Sequence, residues 1–365
     1  MELPAIINDL LDKNQAFVSY RLPEALEPVT CIGGKFLELA GTHDGPSTKG
    51  FFVAPFETSA EYPYLFYQAG KTLRGWNPDY SAESMPVNPK EETQANFVFK
   101  SIDFQEYLHQ ADYMVKKLKS GAIQKVVLSR VINAALPEKF HMGLFFESLC
   151  QKYSGAFVYL LNDGHGQCWA GASPEALLEV EKGKGKTMSL AGTLPAKKGG
   201  HGNFEWQNKE KEEQNLVTQF IRDKLITSGI SDFVEAPLET RQAGPVVHLL
   251  KRFSYDLPDD ISALGLAKVL HPTPAVCGLP VEKALKEIHA VETHKRAFYS
   301  GFLGPVSNKH EASLFVNLRC MQIIGKNAFI FVGGGLLAES DIEREWQETA
   351  IKAETLLSVI RKQIQ

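Results

Sequence analysis

The sequence predicts an α+β fold, with antiparallel strands and helices occupying separate stretches of the chain. Three observations predict it. Runs that alternate apolar and polar residues, with glycines between them, fill much of the first hundred positions; AFVSYRL, KFLELA, FFVAPF and YPYLFYQAG are examples, and residues i and i+2 of such runs share a sheet face. Two other stretches, 102–120 and the C-terminal part of 328–357, carry apolar residues at helical spacing instead. The 365 residues, 44% hydrophobic and 10% aromatic, suffice for one large core or two intimately joined subdomains.

Composition narrows the function classes. A net charge of -4 argues against a nucleic-acid or membrane-seeking surface. The opening MELPAIINDLLDK lacks a basic n-region, and no run of about 18 apolar residues follows, so the expected compartment is the cytoplasm. The five cysteines (Cys31, Cys150, Cys168, Cys277, Cys320) are odd in number and never spaced as CxxC. They read as small core residues, not as a disulfide framework or zinc site.

In chain order, a short helix at 3–11 precedes the alternating runs. The polar, proline-containing SAESMPVNPKEETQANF is a surface connection. The helix at 102–120 packs through Phe104, Leu108, Tyr113, Val115 and Leu118 and ends at Lys117, Lys119 and a C′ glycine, Gly121. The strand IQKVVLSRVINAAL then puts Lys125, Val127, Ser129 and Val131 on one face and Val126, Leu128, Arg130 and Ile132 on the other. Lys125 reads as a snorkelling edge residue; turned into an enclosed cavity, desolvation would lower its pKa and free an amine to act as a general base.

After a helix around 141–153, GAFVYLLND and GQCWAGASPEALLEVE form a hairpin-like pair, with Glu175 in a Pro-Glu turn at the mouth of a sheet. The basic EKGKGKT around 182–186 reads as a solvated loop, and 197–202 as a solvated loop or a lid. The helix in WQNKEKEEQNLVTQFIRDKL packs through Leu216, Val217, Phe220 and Ile221 and leaves Glu210, Glu213 and Gln214 elsewhere; so dense a charge run reads as a solvated face. His248 lies in the apolar strand GPVVHLLKRFSYDL and reads as a hydrogen-bonded core histidine. HPTPAVCGLP, with three prolines and a glycine, has a restricted backbone. RAFYSGFLGPVS and ASLFVNLRCMQII are strands that bring Tyr299 and Arg319 beside the last strand.

That last strand, AFIFV, breaks at Gly333, Gly334 and Gly335 into a turn and then a helix, with Ser340 and Glu343 as a capping box. Trp346, Ala350, Ala353, Leu357 and Ile360 face inward. Glu345, Glu348 and Lys352 share another side, as a solvated i, i+4 pair or as a ligand-facing stripe. Two close carboxylates suit a hard divalent cation such as Mg²⁺, and the glycines let backbone N–H groups approach an anion closely.

Seven ordered segments, KVVLSR, GASPE, LAGT, HPTPAVCGLP, FYSGFLG, VNLRC and GGGLLAESDIEREWQETAIKA, resemble the chorismate-utilising enzymes, the family of anthranilate synthase component I. The likeness spans roughly 100–362 and is greatest to the isochorismate synthases of menaquinone and siderophore type. It implies one chorismate-binding domain over 1–365, with a catalytic core at 101–362 and a variable part, 1–100, completing the sheets. It also implies two large antiparallel sheets facing each other, helices outside and the active site in the cleft between. Anthranilate synthases typically carry glutamine where Lys125 stands, and aminodeoxychorismate synthases often carry a nucleophilic lysine where Ala191 stands. Salicylate synthases share the lysine but match HPTPA less well. The chain departs from the usual pattern at GGGLL, commonly GAGIV, and at Gln214, commonly histidine.

The roles implied by the resemblance are as follows. Lys125 is the base that activates water for C2 of chorismate, and Glu175 is the acid for the hydroxyl leaving C4. Mg²⁺ is held by Glu213 and Glu348, with Glu345 through water. Arg319, Lys352 and the Gly333 N–H hold the enolpyruvyl carboxylate, and Tyr299, His248, Thr193, Gly192 and Ala275 line the pocket. The partner is the small molecule chorismate, with no nucleic acid, membrane or glutaminase subunit, and a monomer is the default expectation. The alternatives are a salicylate synthase, which also eliminates pyruvate, a catalytically silent chorismate-binding subunit, and an ammonia-using synthase with a glutaminase partner.

Overall fold

The computed structural model describes residues 1–39, 48–82, 86–88, 99–196 and 204–363. Most of the surface connection at 81–97 and the lid candidate at 197–202 lie outside the described residues. The chain begins with α1 (Leu3–Asp12), β1 (Phe17–Arg21), β2 (Val29–Ile32), β3 (Lys35–Leu39), β4 (Gly50–Ala54), β5 (Tyr64–Gln68) and β6 (Lys71–Arg74). Next come α2 (Phe104–Lys119), β7 (Lys125–Ala135), α3 (Met142–Lys152), β8 (Phe157–Asn162), β9 (Gln167–Ser173), β10 (Ala176–Glu181) and β11 (Lys184–Pro195). The following elements are α4 (Asn208–Thr227), β12 (Phe233–Glu235), β13 (Glu239–Ala243), β14 (Val246–Asp256), α5 (Ala263–Leu270), β15 (Gly278–Leu279) and α6 (Val281–Val291). The chain closes with β16 (Phe302–Asn308), β17 (Glu311–Val316), β18 (Cys320–Ile324), β19 (Asn327–Leu336) and α7 (Ile342–Lys362).

The strands form two antiparallel sheets. The first has the order β15-β7-β19-β18-β9-β8-β1-β2-β6; the second runs β12-β14-β11-β10-β17-β16-β4-β5-β3, with β13 also on β14. The N-terminal strands therefore supply one edge of each sheet. A layer of aromatic and aliphatic residues from both sheets fills the space between them, where Phe157 of β8 stacks on Phe315 of β17 with ring centroids 4.2 Å apart. Burial of such large faces is the main favourable term holding the sheets together. Helices α1, α3 and α7 pack on the outer face of the first sheet, and α4 and α5 on that of the second. The five cysteines are buried thiols, and among the described residues no helix is long and apolar enough to cross a membrane.

Several passages cross directly from one sheet to the other, among them Gly33-Gly34 between β2 and β3 and Ala69-Gly70 between β5 and β6; two more lie side by side, the first expected as a turn and the second as part of a single strand. Pro174-Glu175 joins β9 to β10, and Asn317-Leu318-Arg319 joins β17 to β18. The crossings are bonded to each other. Val316 N–H donates to the Glu175 carbonyl at 3.0 Å, Ser173 Oγ to the Val316 carbonyl at 2.6 Å and Ala172 N–H to the Arg319 carbonyl at 3.1 Å. Asn317 locks the second crossing, accepting from Tyr159 Oη at 2.7 Å and donating to the Phe298 carbonyl at 2.8 Å. Arg319 adopts φ 48°, a left-handed conformation that is costly for a bulky residue and persists where surroundings enforce it.

The structure corrects several local expectations. Gly333, Gly334 and Gly335 do not break the last strand; β19 runs through them in register with Ser129, Leu128 and Val127 of β7, and the turn comes after Leu336. The cap of α7 is Asp341, which accepts from Arg344 N–H at 3.1 Å, not Ser340 with Glu343. The buried stripe of α7 comprises Glu345, Thr349, Ala353, Leu356 and Ile360, and Ala350 is exposed. In α2 the stripe is Tyr107, Ala111, Met114 and Leu118, with Tyr113 exposed. Lys184 to Lys186 belong to β11, so the solvated turn contracts to Lys182-Gly183. Tyr299 stands in the turn before β16, where its ring stacks on Phe331.

Candidate active site

A cavity opens between the sheets, close to both crossings. Its wall includes Glu175, Thr193, Glu213, His248, Ala275, Tyr299, Arg319, Gly333 and Lys352, nine of the thirteen positions singled out from sequence. Lys125 lies beside this wall. Its Nζ is 2.9 Å from Glu213 Oε1 in an ion pair, though not aligned as a hydrogen bond, and its side chain is fully buried. The edge-lysine reading is therefore excluded. Lys125 starts β7, which is flanked by β15 and β19, so both neighbours of the strand shield it.

Glu175 is buried at the first crossing. Burial pushes its carboxyl up to about 8, although the positive charges of Lys125, Arg319 and Lys352 pull the other way. It is a neutral proton donor at pH 7. Arg319, on the second crossing, gives one nitrogen to His248 Nε2 at 3.1 Å, and its Nη1 has no protein partner. Burial brings the guanidinium down to about 10, still charged at pH 7. A buried cation with an unpartnered donor is costly unless an anion completes it.

His248 holds that arginine in place. Burial first, and then the charges of Arg319 and Lys352, drive its imidazole well below the usual range, so it is neutral. Its Nδ1 lies 3.0 Å from the Gly192 carbonyl, which can only accept; Nδ1 therefore carries the hydrogen and Nε2 accepts from Arg319. Gly192 thus acts through His248 and is not among the wall residues. Its φ of +65°, and Glu210 within 3.0 Å of any added Cβ, explain the glycine. Lys352 Nζ is 2.5 Å from Glu348 Oε1 and donates to the Gly333 carbonyl at 3.0 Å, so the structure ties Gly333 to Lys352 through its carbonyl.

The three acidic residues expected to hold Mg²⁺ come from two helices, Glu213 on α4 and Glu345 and Glu348 on α7. Burial raises the Glu213 carboxyl, but Lys125 and Lys209 outweigh it and the net shift is downward. Glu345 goes up to about 7, driven by burial and by Glu348 facing it. Glycines make room for these carboxylates. A Cβ on Gly335 would lie 2.4 Å from Glu213 Oε1, and one on Gly334 3.1 Å from Glu345 Oε2. Among the described residues no three such side chains are grouped to grip an ion as they stand, because each carboxylate is drawn to its own lysine. The donor set, hard oxygens in a cradle that a methyl group would fill, fits Mg²⁺.

The family model of chorismate binding enzymes matches residues 71–361. The chain belongs to that family. Among curated members, isochorismate synthase MenF of Bacillus subtilis is 27% identical over 92% of this chain and 75% of its own length. Isochorismate synthase EntC of Escherichia coli K12 is 28% identical over 65% of the chain and 62% of its own length. The salicylate biosynthesis isochorismate synthase of Pseudomonas aeruginosa is 30% identical over 65% and 51%. The chain thus spans from half to three quarters of the length of these relatives. Among solved structures, the menaquinone-specific isochorismate synthase MenF of E. coli superposes with a TM-score of 0.74 at 18% identity, covering 94% of this chain and 88% of that one. Anthranilate synthase component I of Streptococcus pneumoniae gives 0.67 at 19%, covering 87% and 83%. These chorismate-family structures share the two-sheet fold.

Three polar residues of this family site were not singled out from sequence as site parts. Lys209 pairs with Glu345, and Ser340 Oγ donates to the same Glu345 oxygen at 3.0 Å. Asn317 pins the second crossing. Only Lys209 left a readable signal, since it lies one helical turn before Glu213 on the same face. Gln214 points the other way, donating to the Ser189 carbonyl at 3.0 Å and to its hydroxyl at 2.9 Å. It anchors α4 to β11 and takes no part in the acidic cluster.

Proposed function

We propose that the protein is an isochorismate synthase, an isomerase that converts chorismate reversibly to isochorismate by adding water at C2 with loss of the C4 hydroxyl. The observation that carries this reading is the pairing of a buried carboxyl held protonated to about pH 8, Glu175, with a buried lysine, Lys125, at one cavity where Arg319 Nη1 also presents a donor without a protein partner. Chorismate brings two carboxylates, and its reaction needs a proton removed from water and another delivered to the leaving hydroxyl. Lys125 takes the first and Glu175 supplies the second. Arg319, oriented by the neutral His248, and Lys352 bind the enolpyruvyl carboxylate. Glu213, Glu345 and Glu348 would hold Mg²⁺, which when bound neutralises and orients the ring carboxylate. Tyr299, whose hydroxyl burial pushes up to about 12, stays protonated and keeps its hydrogen for donation at the Gly333 wall.

The relatives named as isochorismate synthases support this reading, and the glutamine expected of an ammonia-using synthase is replaced by Lys125. The enzyme is read as a single-chain cytoplasmic catalyst without a glutaminase subunit. Incubation of the purified protein with chorismate and Mg²⁺, with and without EDTA, with product chromatography and a pyruvate assay, tests it. Isochorismate without pyruvate, formed only with the metal, is the expected result. Salicylate with pyruvate would assign a salicylate synthase, an aminated product on adding ammonium salts an ammonia-using synthase, and binding without turnover a silent subunit.

A further inference from the structure

Each carboxylate of the acidic cluster is matched by one lysine: Glu213 by Lys125, Glu348 by Lys352 and Glu345 by Lys209. With Glu345 ionised in its pair with Lys209, three negative charges meet three positive ones and the cluster is neutral. Adding a divalent cation to this set leaves an excess of two positive charges in a shielded place unless an ammonium withdraws. The three lysines are not equally free to do so. Lys125 is enclosed, at 0% side-chain exposure. Lys352 is 14% exposed and held a second time by the Gly333 carbonyl. Lys209 is 26% exposed, on the first turn of α4, and Glu345 is its ion-pair partner. A long flexible stem at that position can carry its ammonium out to water at small cost.

The Lys209–Glu345 pair also joins the two halves of the molecule, since α4 packs on the second sheet and α7 on the first. On the Glu345 side, Ser340 holds the same oxygen, so the carboxylate keeps its place if the lysine leaves. We propose that Lys209 is the built-in counter-cation of the metal-free cluster: it competes with a divalent cation for Glu345, lowering the affinity of the site for that cation while holding the unloaded halves together. The proposal rests on the Mg²⁺ reading above.

The test uses the full chain without chorismate. Titration of MgCl₂ into Lys209→Met, followed by calorimetry, is expected to give a dissociation constant at least tenfold lower than the parent's, and Lys209→Arg a value near the parent's. Thermal unfolding of Lys209→Met is expected to fall in EDTA and to return to near the parent's temperature in Mg²⁺. A second measurement needs no variant. In the parent protein an amine-reactive reagent, read by peptide mass spectrometry, should modify Lys209 faster with Mg²⁺ than with EDTA while Lys125 stays unmodified. Equal or weaker Mg²⁺ binding by Lys209→Met, an equal loss of unfolding temperature with and without metal, or Lys209 labelling indifferent to Mg²⁺ would each overturn the proposal and leave isochorismate formation standing. A parent that shows neither binding heat nor a shift of unfolding temperature with Mg²⁺ would overturn this proposal together with the metal reading.

Discussion

Lys125 Nζ, on the first residue of β7, lies 2.9 Å from Glu213 Oε1 of α4, an ion pair that joins a strand of one sheet to a helix packed on the other. Removing one partner of a buried pair leaves the other charged and uncompensated, at a cost of roughly 3–5 kcal/mol. Lys125→Gln is therefore expected to lose both the base and stability, with kcat down by about 10²- to 10⁴-fold and a lower unfolding temperature. The double variant Lys125→Gln/Glu213→Gln should recover much of the stability and none of the activity. Near-normal turnover by either would refute the base assignment.

The carboxyl of Glu175 sets a pH limit. With the folded group near 8 and an unfolded carboxyl near 4.3, the unfolded chain sheds this proton first as pH rises. Glu175 therefore makes stability decline between about pH 4 and pH 8, with no further change beyond. The forward rate should fall above about pH 8, approaching tenfold per unit as the acid ionises. Glu175→Gln should be inactive in hydration and, in denaturant titrations at pH 8, at least as stable as the parent. A parent rate still rising at pH 9 would remove Glu175 from the acid role.

Arg319 leaves a buried N–H donor without a protein partner. Hydrogen bonds to charged groups contribute about 1.5–3 kcal/mol, so Arg319→Met should weaken chorismate binding by roughly 10- to 150-fold. His248→Phe, which leaves Arg319 charged but unbraced, should show a smaller loss of the same kind. Fluorescence or calorimetric titration with chorismate, kept apart from turnover, distinguishes a binding loss from a failure of the chemistry.

The glycines of β19 make a steric prediction. A methyl group at Gly335 would stand 2.4 Å from Glu213 Oε1 and 3.1 Å from Lys125 Cε; overpacking of this kind costs about 1–3 kcal/mol. Gly335→Ala should lower kcat/KM at least tenfold by displacing the base and the carboxylate while the protein stays folded, as circular dichroism would report. Gly334→Ala, with 3.1 Å to Glu345 Oε2, should be milder.

How far the sequence carries depended on the scale of the pattern. Period-two runs located the strands, and the spacing on α7 brought Glu345, Glu348 and Lys352 together before any coordinates did. What local spacing could not reveal was where a run changes sheets. ASLFVNLRCMQII reads as one strand because the apolar content never lapses, yet Asn317 to Arg319 leave one sheet for the other, a turn fixed by hydrogen bonds from Tyr159 and Ser173, far away in sequence. The glycine triplet was misplaced for a related reason: glycine favours turns, but here the carboxylates of Glu213 and Glu345 require flat backbone without side chains. Lys209 was hidden among neighbouring charges, since a composition argument weighs KEKEE as a block and a counter-ion is a property of one residue.

The paired crossings have a mechanical consequence. Gly33-Gly34 and Ala69-Gly70 tie the rim at β3 and β6, but the two stacked sheets can slide or breathe at the opposite rim, where β12 and β15 each have a strand on one side only. At Pro174-Glu175 and Asn317-Arg319, however, continuous backbone stitches the layers together, and the stitches are themselves hydrogen-bonded. The proton donor and the anion-binding arginine therefore sit at the seam of the sandwich. Fraying that begins at that rim dies out before it reaches them, and hydrogen exchange should find the reacting centre among the last regions to open.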